Sequence, residues 1–229
     1  MSKEDWHRIS WGFGVAGLVL GAWGIFYPRP YLLVLVLLAL SPVIGLALVR
    51  ASKGAIRPFR SKDNAWNLDS FFLFPPIALA LRCLSDFPLV DGRRLLVHGA
   101  AVGIAFGLSY LWIRPSSRRR VRPVEWIFGW IGVISYGWAV AAALNGLLPQ
   151  PEPKRYEVSI VDKHARGGKG SSYYFTLPPF GPINNSDDWN VGRRVFQQIE
   201  VGDKVCLYIS PGALGEPWYY AAKCAPDGG

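Results

Sequence analysis

The segment Ile113-Arg-Pro-Ser-Ser-Arg-Arg-Arg-Val-Arg-Pro123 constrains this chain more than any other. It is a short basic turn between two long apolar runs and carries Arg114, Arg118, Arg119, Arg120 and Arg122. Short loops rich in Lys and Arg stay on the cytoplasmic side of a membrane. If the flanking runs cross a bilayer, this turn fixes the compartment of every later segment. The composition agrees with a bilayer. Only 18% of residues are charged and 51% are hydrophobic, where a soluble domain carries about 25% charged residues. The net charge of +9 does not form the basic stripe of a nucleic-acid binder, because most of the excess sits in two short connectors. No nucleic-acid partner is expected.

Five apolar stretches predict five transmembrane helices, over about 10–27, 31–49, 69–86, 95–113 and 124–148. The first is flanked by Trp11, Trp23 and Tyr27, rings that favour the membrane interface. It lacks the short core and small-residue cleavage site of a secretory signal, so it reads as a retained span. Gly17 and Gly21 on the first span, and Gly99, Gly103 and Gly107 on the fourth, recur every four residues. That spacing lets helices approach closely within a bundle. The third span is the irregular one, since Pro75-Pro76 should interrupt or kink it. A second basic connector, with Arg50, Lys53, Arg57, Arg60 and Lys62, precedes it. With five crossings both basic connectors share the cytoplasmic side, the N-terminus lies inside and the C-terminal segment outside. Losing one crossing would reverse that placement, and the third span is where the loss would arise.

The character of the chain changes at Pro149 to Pro153, a stiff proline-rich linker. Residues 154–229 alternate in short strands with Pro, Gly and Asn between them. Strands are expected at Tyr156–Val161, Ser172–Leu177, Lys204–Ser210 and Trp218–Cys224, with a strand and one helical turn over Trp189–Ile199. His164 to Gly170 reads as a Gly-rich basic tip. The expected fold class is thus a membrane α-helical bundle followed by a small all-β domain, an SH3-like or OB-like barrel or a rolled antiparallel sheet. So small a domain often needs a staple. Cys206 and Cys224 sit on the two arms of the last predicted hairpin, and in an oxidising compartment they are expected to form a cross-strand disulfide worth roughly 3 kcal/mol.

Candidate chemistry is sparse. Arg82, Asp86 and His98 fall near the outer ends of the third and fourth spans and could form an intramembrane polar site. The alternative is that Arg82 pairs with Asp86 while His98 bonds a backbone carbonyl. Lys163, Arg166 and Lys169 at the basic tip could contact an anionic surface. The tip is flanked by strands on both sides, which excludes a P-loop. The three cysteines and three histidines match no metal-ligand spacing and no catalytic triad, so no catalytic residue, metal or cofactor is expected.

The strand opening Val-Gly-Asp-Lys-Val-Cys206 and the turn Pro211-Gly-Ala-Leu-Gly-Glu-Pro-Trp-Tyr219 resemble the C-terminal segment of uncharacterised multi-spanning inner-membrane proteins of proteobacteria. The resemblance covers about the last third of the chain. It implies a bacterial inner-membrane location and adds no catalytic residue. Together these readings lead to an inner-membrane protein with a periplasmic β-domain, whose partners are the lipid bilayer and another membrane or periplasmic protein. Its expected role is non-enzymatic: binding, scaffolding or protective (immunity or envelope). The alternatives are a small transporter or channel subunit using Arg82, Asp86 and His98, and a membrane-embedded enzyme acting on lipid.

Overall fold

The apolar runs between the charged connectors form five long helices. They are α1 (Lys3–Phe26), α2 (Tyr31–Ala51), α3 (Asp69–Asp86), α4 (Arg93–Ile113) and α5 (Pro123–Leu147). A computed structural model describes residues 3–53, 55–57, 66–113, 123–167 and 172–224. The Arg-rich turn 114–122 and Lys169 lie outside the described residues. Two two-residue strands, β1 (Ile56–Arg57) and β2 (Trp66–Asn67), pair in parallel between α2 and α3.

The chain divides into a helical unit, Met1–Asp86 with Arg93–Leu147, and a β-unit, Phe87–Gly92 with Leu148–Gly229. In the helical unit the glycine spacing becomes close packing. A Cβ at Gly17 would sit 2.6 Å from the Phe71 Cα of α3, and one at Gly137 of α5 would sit 2.2 Å from the Gly99 carbonyl oxygen of α4. Any larger residue at either position would push two backbones apart. The Tyr136 hydroxyl of α5 donates to the Ala39 carbonyl of α2 at 2.6 Å.

Among the described residues three helices are long and apolar enough to cross a membrane: α1, α2 and α4, with mean hydropathies of 1.6, 2.9 and 1.6. α3 has 18 residues, about 27 Å at 1.5 Å per residue, slightly less than a hydrocarbon core of about 30 Å. Among the described residues the apolar part of α5 is Gly132–Leu147. The expected interruption of the third helix does not occur, since α3 runs continuously through Pro75 and Pro76. The two prolines remove the amide donors for the Phe71 and Phe72 carbonyls. Both prolines are buried, as is Phe71, and packing holds the helix across the two missing bonds.

The β-unit holds β3 (Lys154–Ser159), β4 (Asp162–Arg166), β5 (Ser172–Leu177), β6 (Asp187–Val191), the short helix α6 (Arg193–Gln198), β7 (Lys204–Ser210) and β8 (Trp218–Lys223). They form two antiparallel three-stranded sheets, in the orders β3–β7–β8 and β4–β5–β6. The chain passes from one sheet to the other at a corner. The Ile160 amide donates to the Asp203 carbonyl at 3.0 Å, and the next amide, Val161, donates to Thr176 on the other side at 3.0 Å. The expected barrel is therefore not a closed one, because among the described residues no backbone ladder joins β6 to β8. A side chain bridges these strands instead. The Tyr219 hydroxyl accepts from the Asn190 amide at 3.0 Å and donates to the Asn190 carbonyl at 3.2 Å.

β4 replaces the first part of the expected basic tip. Its residues Asp162 to Arg166 carry no apolar alternation, so the strand is dictated by pairing with β5, from Asp162–Thr176 to Arg166–Ser172. The inner faces meet in one core around Phe175, Leu177, Ile199, Val205 and Leu207. One component comes from outside the C-terminal segment. Leu89 bridges Trp218, the Val90 amide donates to Pro217 at 2.9 Å, and the Tyr219 amide donates to Pro88 at 3.0 Å. The α3–α4 loop thus extends the first sheet beyond β8. Its last residue is fixed as well, since the Gly92 amide donates to the buried Glu216 carboxylate at 2.7 Å.

Candidate functional site

The outer face of the β3–β7–β8 sheet gathers the most chemically distinctive residues of the β-unit. Side chains alternate along a strand, so the inward positions Val205, Leu207 and Ile209 leave Cys206, Tyr208 and Ser210 facing outward. Register then sets Arg155, Tyr208 and Tyr220 in one row, and Glu157, Cys206 and Ala222 in the next. The Tyr208 and Tyr220 rings stack with centroids 4.8 Å apart and planes within 6°, and Trp218 lies 6.1 Å from Tyr220. Gln150 of the linker is pinned beside them by the Ser210 hydroxyl at 2.6 Å and the Trp218 indole N–H at 3.3 Å.

Cys206 and Cys224 form a disulfide, with Sγ atoms 2.13 Å and Cα atoms 5.0 Å apart. Cys224 lies one residue past the last ladder pair, Val205–Lys223. Cys206 is fully buried, although it points to the outer face, because its neighbours cover it. Arg155 spans the rows. Its Nε–H donates to the Cys206 sulfur at 3.2 Å, and a terminal nitrogen pairs with Glu157. A Glu157 oxygen and both sulfurs lie within 4.8 Å of one another. With the sulfurs bridged, no thiolate is offered to a metal.

The outer face of the second sheet is polar and organised around Asp188. One carboxylate oxygen accepts from the Thr176 hydroxyl at 2.7 Å, and the other faces Arg166 at 3.0 Å and His164 at 3.4 Å. The His164 ring stacks on Tyr174 at 5.5 Å. The two described basic residues of the tip, Lys163 and Arg166, therefore do not converge. Arg166 points to this face, whereas Lys163, one position out of phase, pairs with Glu200, donates to the Ile199 carbonyl at 3.3 Å and lies over the Phe196 ring.

In the helical unit, Arg82 and Asp86 come together and His98 does not join them. One Arg82 nitrogen donates to both Asp86 oxygens, at 2.8 and 2.7 Å, and the Tyr31 hydroxyl donates to the same carboxylate at 2.7 Å. His98 is exposed on α4, and its Nδ1–H donates to the Arg94 carbonyl one turn back, at 2.9 Å. Sequence reasoning missed Tyr31 and Arg155, because neither partner is near in sequence except Glu157. Register pairing is the signal that finds Arg155, since it places the residue diagonal to Cys206. No protein-family model matches the chain, and no curated protein or solved structure matches it either.

Proposed function

We propose that this chain is an integral protein of the bacterial inner membrane that holds its β-unit in the periplasm as a non-enzymatic binding module for a partner protein. The observation that carries the reading is the outer face of the β3–β7–β8 sheet, where Tyr208, Tyr220 and Trp218 stand beside Arg155. Tyr220 is 42% exposed. Tyrosine, tryptophan and arginine on a rigid surface are the residues that dominate protein–protein affinity. The polar site in the helical unit offers less, because Arg82 and Asp86 are bonded to each other.

Chain connectivity supports the topology. A folded unit lies on one side of a bilayer, and the β-unit draws on both Phe87–Gly92 and Leu148–Gly229. The chain between them then crosses an even number of times. α4 is long and apolar enough to cross, so on this reading α5 crosses back, and the arginine-rich sequence between the two helices belongs to the far side of the bilayer. The positive-inside rule makes that side cytoplasmic. With α3 crossing as well, the count is five and the N-terminus is inside.

Two measurements test the proposal. A phosphatase fused after Gly229 is expected to be active, and a reporter that fluoresces only in the cytoplasm to be dark at the same site. The reverse pattern would remove the periplasmic reading. A photo-crosslinking residue at Tyr220 is expected to give one discrete adduct in cells, with none from the control position Val201, which is 51% exposed. Equal labelling from both positions would count against a binding face.

A further inference from the structure

The bridge between Cys206 and Cys224 is asymmetric in three independent ways. Cys206 is fully buried in the middle of the β-unit's first sheet, whereas Cys224 is only half-buried and lies past the end of the ladder. A nucleophile displacing a thiolate approaches along the S–S axis, behind the sulfur that it attacks. Cys206 offers no surface to such an approach, whereas Cys224 keeps part of its surface exposed. The third asymmetry is electrostatic. The Arg155 Nε–H points at the Cys206 sulfur from 3.2 Å. Glu157 holds the guanidinium in place through a different nitrogen, and Lys204 lies 3.9 Å from the other Glu157 oxygen. The N–H donor aimed at the Cys206 sulfur favours negative charge on that sulfur, and the Glu157 carboxylate, within 4.8 Å of both sulfurs, opposes it at both.

We propose that Cys206–Cys224 is a thiol–disulfide exchange site of fixed polarity, in which Cys224 is the sulfur attacked and Cys206 leaves as a thiolate held by Arg155. The reductant is a dithiol. Its first thiolate attacks the Cys224 Sγ, forming a mixed disulfide. The S–S bond to Cys206 breaks and its electron pair goes to the Cys206 sulfur, beside the Arg155 N–H. The second thiol of the reductant then attacks its own half of the mixed disulfide and releases Cys224. The bridge gains two electrons and, with Cys206 left as the thiolate, one proton, and the dithiol, entering as its monothiolate, loses the same number and becomes a disulfide. A purely structural staple has no need of a cation aimed at one sulfur. This inference stands on the surroundings of the bridge and is independent of what docks on the aromatic row.

The test uses the full chain in detergent, oxidised, with glutathione as the attacking thiol. After a short reaction, acid quench and alkylation of released thiols, mass spectrometry locates the mixed disulfide. At least about tenfold more glutathione is expected on Cys224 than on Cys206, with the alkyl group on Cys206. An equal split, or a majority on Cys206, would overturn the proposal without any variant being made. The role of Arg155 is read from the rate of reduction by dithiothreitol. Arg155→Gln is expected to slow it by about tenfold, and Arg155→Lys to restore part of the rate. An Arg155→Gln rate within twofold of the parent would show that the guanidinium does not assist the leaving group.

Discussion

Ile104 on α4 and Val201 in the β-unit expose almost the same fraction of their surface, 55% and 51%, but their surroundings differ in kind. Ile104 lies on a helix whose exposed residues include Leu96, Leu108 and Trp112, whereas the buried positions of that helix are Leu95 and three glycines. Val201 is an isolated apolar residue between exposed Glu200 and Gly202. α4 is thus inverted relative to a helix of a soluble protein, with glycines inside and large apolar residues outside. Water would not tolerate so continuous an apolar exterior. Lipid does, and it leaves close backbone approach to hold the helices together. The β-unit follows the soluble pattern, burying Phe175, Leu177 and Leu207 and keeping its charges out except for the buried Glu216. Exposure alone does not identify the solvent of a residue. Its neighbours do.

This contrast can be broken at its strongest point. Phe175→Ala in the β-unit core is expected to cost about 3–5 kcal/mol, because Phe175 is 1% exposed and stacks on Phe196 at 5.7 Å. Loss of hydrogen-exchange protection at the Val205 and Leu207 amides would report it. Unchanged protection would mean that the two sheets do not share one core. The paired substitutions Ile104→Arg and Val201→Arg sharpen the comparison. A charge near the middle of a membrane helix costs about 2.5–3.5 kcal/mol of insertion free energy, whereas an exposed change on a soluble surface stays within about 0.5 kcal/mol. Membrane yield should therefore fall for Ile104→Arg and hold for Val201→Arg. Equal yields would remove α4 from the bilayer.

The same contrast explains what the sequence made legible. Helices and most strands follow from periodicity, and β5 and β7 coincide with their expected limits, Ser172–Leu177 and Lys204–Ser210. β4 did not, because Asp-Lys-His-Ala-Arg has no alternation to read and owes its conformation to β5. The loop Phe87–Gly92 was also invisible in its role. Its residues look like a connector between two spans, and only their backbone bonds to Pro217 and Tyr219 make them part of the β-unit. Arg82 with Asp86 was readable from helical spacing, whereas Tyr31 is 55 residues away from its partner. Local pattern carries local structure, and a pairing between distant segments of similar composition leaves no trace in it.

The smallest effect tests how the open seam between β6 and β8 is held. Tyr219 is 6% exposed, edges the Trp189 ring at 4.5 Å and bonds both backbone groups of Asn190. Burial pushes its hydroxyl from 10.0 up to about 12, against the Asn190 amide, which stabilises the phenolate and pulls it down. The folded state therefore holds its proton more tightly than the unfolded chain does. This contribution is complete below pH 10 and is lost as the pH rises from about 10 to about 12, amounting to roughly 2–3 kcal/mol. Other tyrosines ionise in the same range, so the informative quantity is the difference from Tyr219→Phe. That variant should be less stable at pH 7 by about 1–3 kcal/mol, since the Asn190 amide and carbonyl lose their partner. It should also lose stability less steeply between pH 10 and 12, so that the two curves converge. Parallel curves would mean that Tyr219 ionises freely in the folded state and that the seam is held by the core beneath it, not by the hydroxyl.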